Sequence, residues 1–271
     1  MSFISAVLLG ILQGLTEFLP VSSSGHLVLA QHFFGIKDSG DTLFEVFMHL
    51  GTLLAVLVFF RRRVWNLLVS LFSWKQTLRH QDHLRNRNVI LYLLTASLAT
   101  GLVYLLFGDL FENLYSQPLI VAVMLLVTGL VVFVSDKLHS GDILASNMGL
   151  PRSLLVGLIQ GIAIIPGISR SGSTITGSLL VGLKRREAAE FSFLLSIPAI
   201  VAANAVNLGL FKLLTWKEIG VYLGGFVAAF GVAWLVIGFL LELISRARLR
   251  YFAYYCWAVG IISIALIFWR S

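Results

Sequence analysis

Two polar side chains near the N-terminus, Gln13 and Glu17, are candidates for a functional site because they stand together in an apolar stretch. They are four residues apart, so both point the same way on a helix. Both lie in an apolar stretch, where an unpaired carboxylate in a bilayer costs at least about 2.5 to 3.5 kcal/mol. Glu17 must therefore face a cavity, a cation or a basic partner. A cavity, a cation and a partner such as Arg170 all stay open for Glu17, and a purely structural ion pair is the alternative to a functional role.

A cluster of hydroxyl groups and one imidazole follows in the sequence PVSSSGH. Three serines precede a glycine and a second predicted helix, so their hydroxyls and the free N–H groups of that helix could cap it or hold an anion. The histidine normally titrates near neutral pH and could act as general acid, base or nucleophile. The candidate site residues are Ser22, Ser23, Ser24, Gly25 and His26, with helix capping and a structural histidine as the alternatives.

A second cluster, PGISRSGST, has Arg170 at its centre. The planar fork of an arginine binds oxyanions through two hydrogen bonds, and hydroxyl groups on both sides add further donors. The alternative is an arginine that reaches water for structural reasons, which at membrane depth requires a wet cavity. The cluster predicts a phosphate-binding site formed by Arg170, Ser169, Ser171 and Thr174.

The elements that must position these residues are membrane helices. Of the 271 residues, 58% are hydrophobic and 12% are charged, and the mean hydropathy is +0.91, whereas soluble domains are roughly 25% charged. This composition excludes a water-soluble globule and predicts an all-α, polytopic integral membrane protein. Six stretches are long and apolar enough to span a bilayer, at about 42–60, 88–107, 118–135, 189–210, 219–243 and 251–269.

Two further apolar regions, 3–34 and 153–183, are interrupted by the two polar clusters. A short helix on each side of a break is typical of a re-entrant hairpin, buried in protein or lining a wet cavity. The regions align with one gap, matching Gly10, Gln13 and Gly14 with Gly157, Gln160 and Gly161. We therefore expect one transmembrane domain, 1–271, of two halves, about 1–140 and 150–271. Each half has a hairpin and three spans, so the halves form an inverted repeat with the site near the midplane.

Three residues within spans receive supporting interpretations. Glu45 and Glu190 follow the two breaks at nearly the same distance, and we expect them to orient the hairpin tips. His49 is assigned to packing or interhelical hydrogen bonding rather than to chemistry.

The basic residues indicate which side of the membrane each loop faces. The segment from Arg61 to Arg87 is expected as an inside loop because it holds seven Lys or Arg, and a segment around Asp109 and Glu112 is expected as an outside loop. Inside loops then hold fifteen basic residues, against four outside, which are Lys37, Lys212, Lys217 and Arg270. The net charge of +7 thus reflects topology, and no nucleic-acid partner is expected.

At these residues the chain resembles the undecaprenyl-diphosphate phosphatase family of bacterial membranes, the bacitracin-resistance type. The resemblance rests on QGLTEFLPVSSSGH, on PGISRSGST, on FEV at 44–46 and on EFSFLLSIP at 190–198, in order over nearly the whole chain. The first family motif has Glu or Gln followed by Glu four residues later, which Gln13 and Glu17 fit. The family's histidine falls on His26, and the arginine of its second motif falls on Arg170.

The resemblance implies hydrolysis of undecaprenyl diphosphate to undecaprenyl phosphate and inorganic phosphate. This reaction recycles the lipid carrier of cell-wall synthesis and gives bacitracin resistance. The resemblance also implies the bacterial cytoplasmic membrane and an active site open to the external face. It further implies a divalent cation, Mg²⁺ or Ca²⁺, held by Glu17 with help from Gln13. The polyprenyl diphosphate and membrane lipids are the expected partners, and a homodimer is a candidate assembly. Three nucleophiles stay open: Ser23 assisted by His26, His26 itself, or a water molecule.

A transporter or flippase for a phosphorylated polyprenyl lipid is the main alternative, because inverted repeats with broken helices are the usual architecture of secondary transporters. Such a protein would bind and release the lipid without cleaving it. A structural membrane subunit is a third interpretation, and it leaves Glu17, His26 and Arg170 unexplained.

Overall fold

The computed structural model describes residues 1–36, 42–72, 80–138, 140–206, 215–245 and 248–270. The helices in these ranges are α1 (Phe3–Thr16), α2 (Ser23–Phe34), α3 (Thr42–Phe59), α4 (Arg61–Phe72), α5 (His80–Leu114), α6 (Pro118–Lys137), α7 (Leu150–Ile162), α8 (Arg170–Leu180), α9 (Arg185–Val206), α10 (Trp216–Ser245) and α11 (Arg250–Arg270). The prediction of an all-α protein is confirmed.

The long helices make this a polytopic membrane protein. Five of them, α5, α6, α9, α10 and α11, are long and apolar enough to cross a bilayer. A sixth span is present if α3 is counted together with α4, across a bend of 80°. Leucines such as Leu98 and Leu105 on α5 are 76% and 82% exposed in the isolated chain, which is favourable where the surrounding solvent is lipid. The predicted spans are confirmed as helices within the described residues, which leave out 207–210.

Two segments predicted as loops are helical where the structure describes them, which leaves out 73–79. The segment that begins at Arg61 forms α4, whose Trp65 and Phe72 are exposed while Leu67 and Ser70 are buried. This amphipathic pattern is typical of a helix lying in the membrane surface. Asp109 and Glu112 lie on the last turns of α5, because a helix of 35 residues extends well beyond a hydrocarbon core of about 30 Å. Lys37, Arg79, His139 and Lys212 lie outside the described residues.

Each predicted hairpin has the expected order of helix, break and helix. Helix α1 ends at Thr16 and α2 begins at Ser23, while α7 ends at Ile162 and α8 begins at Arg170. The start of α8 contacts the first break. The Ser171 hydroxyl, on the first turn of α8, donates to the carbonyl oxygen of Leu19 over 3.0 Å.

The matched glycines pack in the same way in the two halves. Helix α1 packs against α10, and helix α7 packs against α5. A Cβ atom on Gly10 would collide with the carbonyl oxygen of Gly225, and one on Gly157 would collide with that of Ala96. Each hairpin therefore lies against a span of the other half, as an internal repeat requires. The division into two halves of inverted topology stays a prediction, and this exchanged packing supports it.

Candidate active site

The Glu17 carboxylate is the centre of the region where the two breaks meet. Glu17 lies at the C-terminal end of α1 and is 7% exposed. Its Oε1 accepts a hydrogen bond from Arg170 Nη2 over 2.7 Å. Its Oε2 accepts from Gln13 Nε2 and from Ser23 Oγ, each over 2.8 Å. One carboxylate thus connects α1, α2 and α8.

Arg170 is held by the fold at the first residue of α8. Ser169 caps this helix by accepting from the backbone N–H of Gly172 over 3.0 Å. A positive charge at a helix N-terminus is unfavourable, and the ion pair with Glu17 offsets it. A second guanidinium nitrogen, Nη1, donates to the carbonyl oxygen of Ser192 over 3.3 Å. The ion pair is the alternative that the sequence left open for Glu17, and the structure contains it.

The other predicted phosphate ligands of α8 are bonded to protein atoms. Ser169, Ser171 and Thr174 are all buried. The Ser169 hydroxyl caps the helix, the Ser171 hydroxyl donates to the first break, and the Thr174 hydroxyl bonds to the carbonyl oxygen of Arg170 over 2.9 Å. In this arrangement they position Arg170, and their direct contact with substrate stays a prediction.

The first break presents Ser23 to Glu17 through an unusual backbone conformation at Ser22. Ser22 has φ of +70°, which is unfavourable for a residue with a side chain. Its hydroxyl caps α2 by accepting from the N–H of Gly25 over 3.2 Å. Ser24 hydrogen-bonds the Tyr115 hydroxyl, and burial raises the pKa of Tyr115, so this phenol stays neutral. The break is therefore fixed on both sides of Ser23.

His26 is fixed at both ring nitrogens. Nδ1 lies 2.7 Å from the carbonyl oxygen of Ser22, and Nε2 lies 2.9 Å from the hydroxyl of Tyr255 on α11. Because a carbonyl oxygen only accepts, Nδ1 carries the proton and Nε2 accepts from Tyr255. The expected pairing of Ser23 with His26 is not present, since the Ser23 hydroxyl bonds to Glu17 instead.

Two residues of the site were missed or misinterpreted from sequence. His49 Nε2 lies 3.7 Å from Glu17 Oε2, so His49 borders the site, whereas the sequence assigned it to packing or interhelical hydrogen bonding. Its spacing of four residues from Glu45 could have placed both on one helix face. No sequence signal identified Tyr255. Glu190 does not contact either tip through its side chain, because it binds Arg63 on α4 over 2.8 Å.

The donors around Glu17 fit a hard cation in part. Gln13 Oε1 is buried and has no hydrogen-bond partner among the described residues, and the Glu17 carboxylate lies beside the same amide. Across those residues no group of three or more His, Cys, Asp or Glu side chains could hold a metal alone. Mg²⁺ sites commonly use one or two protein oxygens and complete the shell with phosphate and water. The residues present suit a cation that binds together with a phosphate.

The comparisons with known proteins agree on one family, and the similarity extends over nearly the full length of this chain. Residues 6–262 match the family model described as bacitracin resistance protein BacA. A protein named undecaprenyl-diphosphatase from Methanobrevibacter smithii is 43% identical over 269 residues, covering 97% of this chain and 96% of its own. A protein of the same name from Halothermothrix orenii is 43% identical over 272 residues, covering 98% of each chain. A third, from Rubrobacter xylanophilus, is 40% identical, covering 98% of this chain and 99% of its own. The chain therefore belongs to the bacitracin resistance protein BacA family.

Proposed function

We propose that this protein hydrolyses undecaprenyl diphosphate to undecaprenyl phosphate and inorganic phosphate, which recycles the lipid carrier of cell-wall synthesis. The observation that carries the proposal is the link from Arg170 through Glu17 to Ser23. The Arg170 guanidinium can bind oxyanions, and the Ser23 hydroxyl can attack phosphorus. The two groups bond to opposite oxygens of the buried Glu17 carboxylate. The name undecaprenyl-diphosphatase of the relatives supports the substrate.

Arg170 and the helix ends bind the diphosphate in this proposal. The guanidinium exchanges its bond to Glu17 Oε1 for bonds to phosphate oxygens, which match its planar fork. The N-termini of α2 and α8 begin at the two breaks, and the positive end of each helix dipole favours an anion there. The apolar helices around the breaks leave the prenyl chain in lipid.

Ser23 is the nucleophile that the geometry favours. Its proton passes to Glu17 Oε2, the acceptor 2.8 Å away, as Oγ bonds to the terminal phosphorus and undecaprenyl phosphate leaves. Binding of the substrate draws Arg170 from Glu17, which makes the carboxylate a better proton acceptor when it is needed. Water then attacks the phosphorus of the phosphoserine, and Glu17 returns its proton to the departing Ser23 oxygen. The proton of the water leaves with inorganic phosphate, so Ser23 and Glu17 are both restored. His26 is a weaker choice because both ring nitrogens are occupied.

Glu17 and Gln13 are the residues that would hold a divalent cation, Mg²⁺ or Ca²⁺. When bound, such an ion supplies positive charge that neutralises phosphate oxygens and polarises the phosphoryl group. The buried Gln13 oxygen, which has no hydrogen-bond partner among the described residues, supports this part of the proposal.

The protein is proposed to act in the bacterial cytoplasmic membrane with the site open to the external face and the N-terminus and Arg270 outside. Cysteine labelling tests this orientation, because the natural Cys256 is buried. A cysteine introduced at Asp109 is expected to react with an impermeant reagent added outside, and one at Arg62 is expected to react only after the membrane is opened. The reverse pattern would overturn the orientation. The candidate assembly in this proposal is a homodimer.

The activity is tested by phosphate release from undecaprenyl diphosphate by the purified protein in detergent, with and without a chelator of divalent cations. We expect release by the parent protein, loss with the chelator, and recovery on adding Mg²⁺ or Ca²⁺. A protein that releases no phosphate but moves the lipid between leaflets of a vesicle would be a flippase, and the proposal would be wrong.

A further inference from the structure

The ring of His49 on α3 is oriented so that its Nε2 atom faces the Glu17 carboxylate. Its Nδ1 atom lies 2.8 Å from the carbonyl oxygen of Glu45, one helical turn earlier. Since that oxygen can only accept a hydrogen bond, Nδ1 carries the ring proton. In the neutral ring Nε2 then offers a lone pair, and it lies 3.7 Å from Glu17 Oε2, which is too far for a hydrogen bond.

The separation between His49 Nε2 and Glu17 Oε2 is longer than any direct hydrogen bond. An imidazolium beside a carboxylate forms a charge-assisted hydrogen bond of about 2.7–2.9 Å, and the 3.7 Å separation leaves that contact open. Oε2 already accepts from Gln13 and Ser23, each over 2.8 Å. Arg170 occupies the opposite oxygen, Oε1. The space between Nε2 and Oε2 is therefore bordered by two electron-rich atoms.

Gln13 can supply a third electron-rich atom to the same space. Its amide nitrogen lies 2.8 Å from Glu17 Oε2, and its amide oxygen is buried without a hydrogen-bond partner among the described residues. The nitrogen and oxygen of an amide are alike in shape, so a half-turn of the group exchanges them. Such a turn places Gln13 Oε1 beside Glu17 Oε2, where both oxygens could bind one ion.

We propose that His49 is a ligand of the divalent cation through Nε2, together with Glu17 and Gln13. A hydrogen bond from the other ring nitrogen to a backbone carbonyl is the arrangement that fixes metal-binding histidines. Metal–ligand bonds of about 2.0–2.3 Å let one ion bridge atoms about 3 to 4 Å apart. The inference rests on the cation of the proposed function and adds to it a nitrogen ligand from α3.

A nitrogen ligand changes which ion the site prefers. Imidazole binds transition-metal ions more readily than it binds Mg²⁺ or Ca²⁺, whereas carboxylate and amide oxygens suit all of them. The site is therefore expected to bind Mn²⁺ more tightly than Mg²⁺. His49→Gln replaces the nitrogen with an oxygen donor, and its affinity for Mn²⁺ is expected to fall by about tenfold while that for Mg²⁺ changes little.

The test is pulsed electron paramagnetic resonance of Mn²⁺ added to the full-length protein in detergent, which detects nitrogen bound to the ion. We expect nitrogen modulation in the parent, a changed frequency when the histidines carry ¹⁵N, and loss of the modulation in His49→Gln. His26→Gln is the matched control and is expected to keep it, because the ring of His26 is engaged by Ser22 and Tyr255. The ¹⁵N experiment needs no substitution, so it holds even if a variant does not fold.

Two results would overturn the inference: bound Mn²⁺ without nitrogen modulation in the parent protein, or modulation that persists in His49→Gln. Absence of any Mn²⁺ binding would overturn it as well. The measurement needs no substrate, so its failure is separate from failure of the proposed function. Phosphate release without a nitrogen signal would reject only His49 as a metal ligand. A nitrogen signal without phosphate release would reject only the proposed hydrolysis.

Discussion

The buried ion pair between Glu17 and Arg170 predicts that Glu17→Gln destabilises the protein. The pair is 2.7 Å long, and its side chains are 6% and 17% exposed. Removing one partner of a buried pair costs about 3–5 kcal/mol, because the other charge is left without compensation. The new amide oxygen still accepts from the guanidinium, and a hydrogen bond to a charged group contributes about 1.5–3 kcal/mol. The net loss is therefore expected to be about 2 kcal/mol.

Thermal unfolding in detergent measures this loss. For a chain of this size, about 2 kcal/mol corresponds to a fall in the midpoint of about 4–8 °C. Glu190→Gln is the matched control, because its pair with Arg63 has a similar length of 2.8 Å but side chains that are 32% and 26% exposed. A more exposed pair contributes less, about 1 kcal/mol or below, so this variant is expected to unfold within a few degrees of the parent.

A double substitution separates the ion pair from other effects of changing Glu17. Arg170→Met removes the guanidinium, so adding it to Glu17→Gln removes the uncompensated charge. The free energy of unfolding that the double variant loses is expected to be smaller, by about 1–2 kcal/mol, than the sum of the losses in the two single variants. Strictly additive losses, or a Glu17→Gln variant as stable as the parent, would refute the reasoning. Normal stability together with a lost response to metal would show that the cation, and not Arg170, is the charge that neutralises Glu17.

Three substitutions test individual residues, two by the rate of phosphate release and one by stability. Arg170→Lys keeps the charge but loses the planar fork, so kcat/KM is expected to fall about 10- to 100-fold, and near-normal turnover would reject two-point phosphate binding. Ser23→Ala is expected to lower kcat by at least about 10³-fold with little loss of stability, whereas substantial remaining turnover would favour attack by water. Tyr255→Phe removes the donor to His26 Nε2 and is expected to destabilise the protein by about 0.5–1.5 kcal/mol, seen as a lower unfolding midpoint. An unchanged midpoint would mean that this hydrogen bond contributes nothing to the fold.

Sequence reasoning succeeded where local pattern decides the outcome. The two polar breaks could be predicted because Pro, Gly and Ser interrupt apolar stretches, and the structure has a helix on each side of both. Glu17 and Arg170 could be paired because each is a charge that needs compensation within the membrane. They are 2.7 Å apart in the structure although 153 residues separate them.

Contacts between distant elements could not be predicted in this way. Tyr255 reaches His26 from α11, and a tyrosine in an apolar helix carries no signal that distinguishes this contact from packing. Helix α4 was missed because the seven basic residues from Arg61 to Arg87 were interpreted as an inside loop. In the structure the first three of them lie at the start of an amphipathic helix. The Ser23 hydroxyl bonds to Glu17 rather than to His26, because both ring nitrogens of His26 are bonded to Ser22 and Tyr255.

The most direct test of the account follows the terminal phosphate of undecaprenyl diphosphate through one turnover. The terminal phosphate is radiolabelled, the reaction with excess purified protein is stopped in acid after short times, and peptides, lipid and inorganic phosphate are separated. The account predicts that label appears first on the peptide containing Ser23 and then as inorganic phosphate, in amounts equal to the undecaprenyl phosphate formed. Label that stays on the lipid would contradict hydrolysis, and label that reaches inorganic phosphate without passing through Ser23 would contradict the proposed nucleophile.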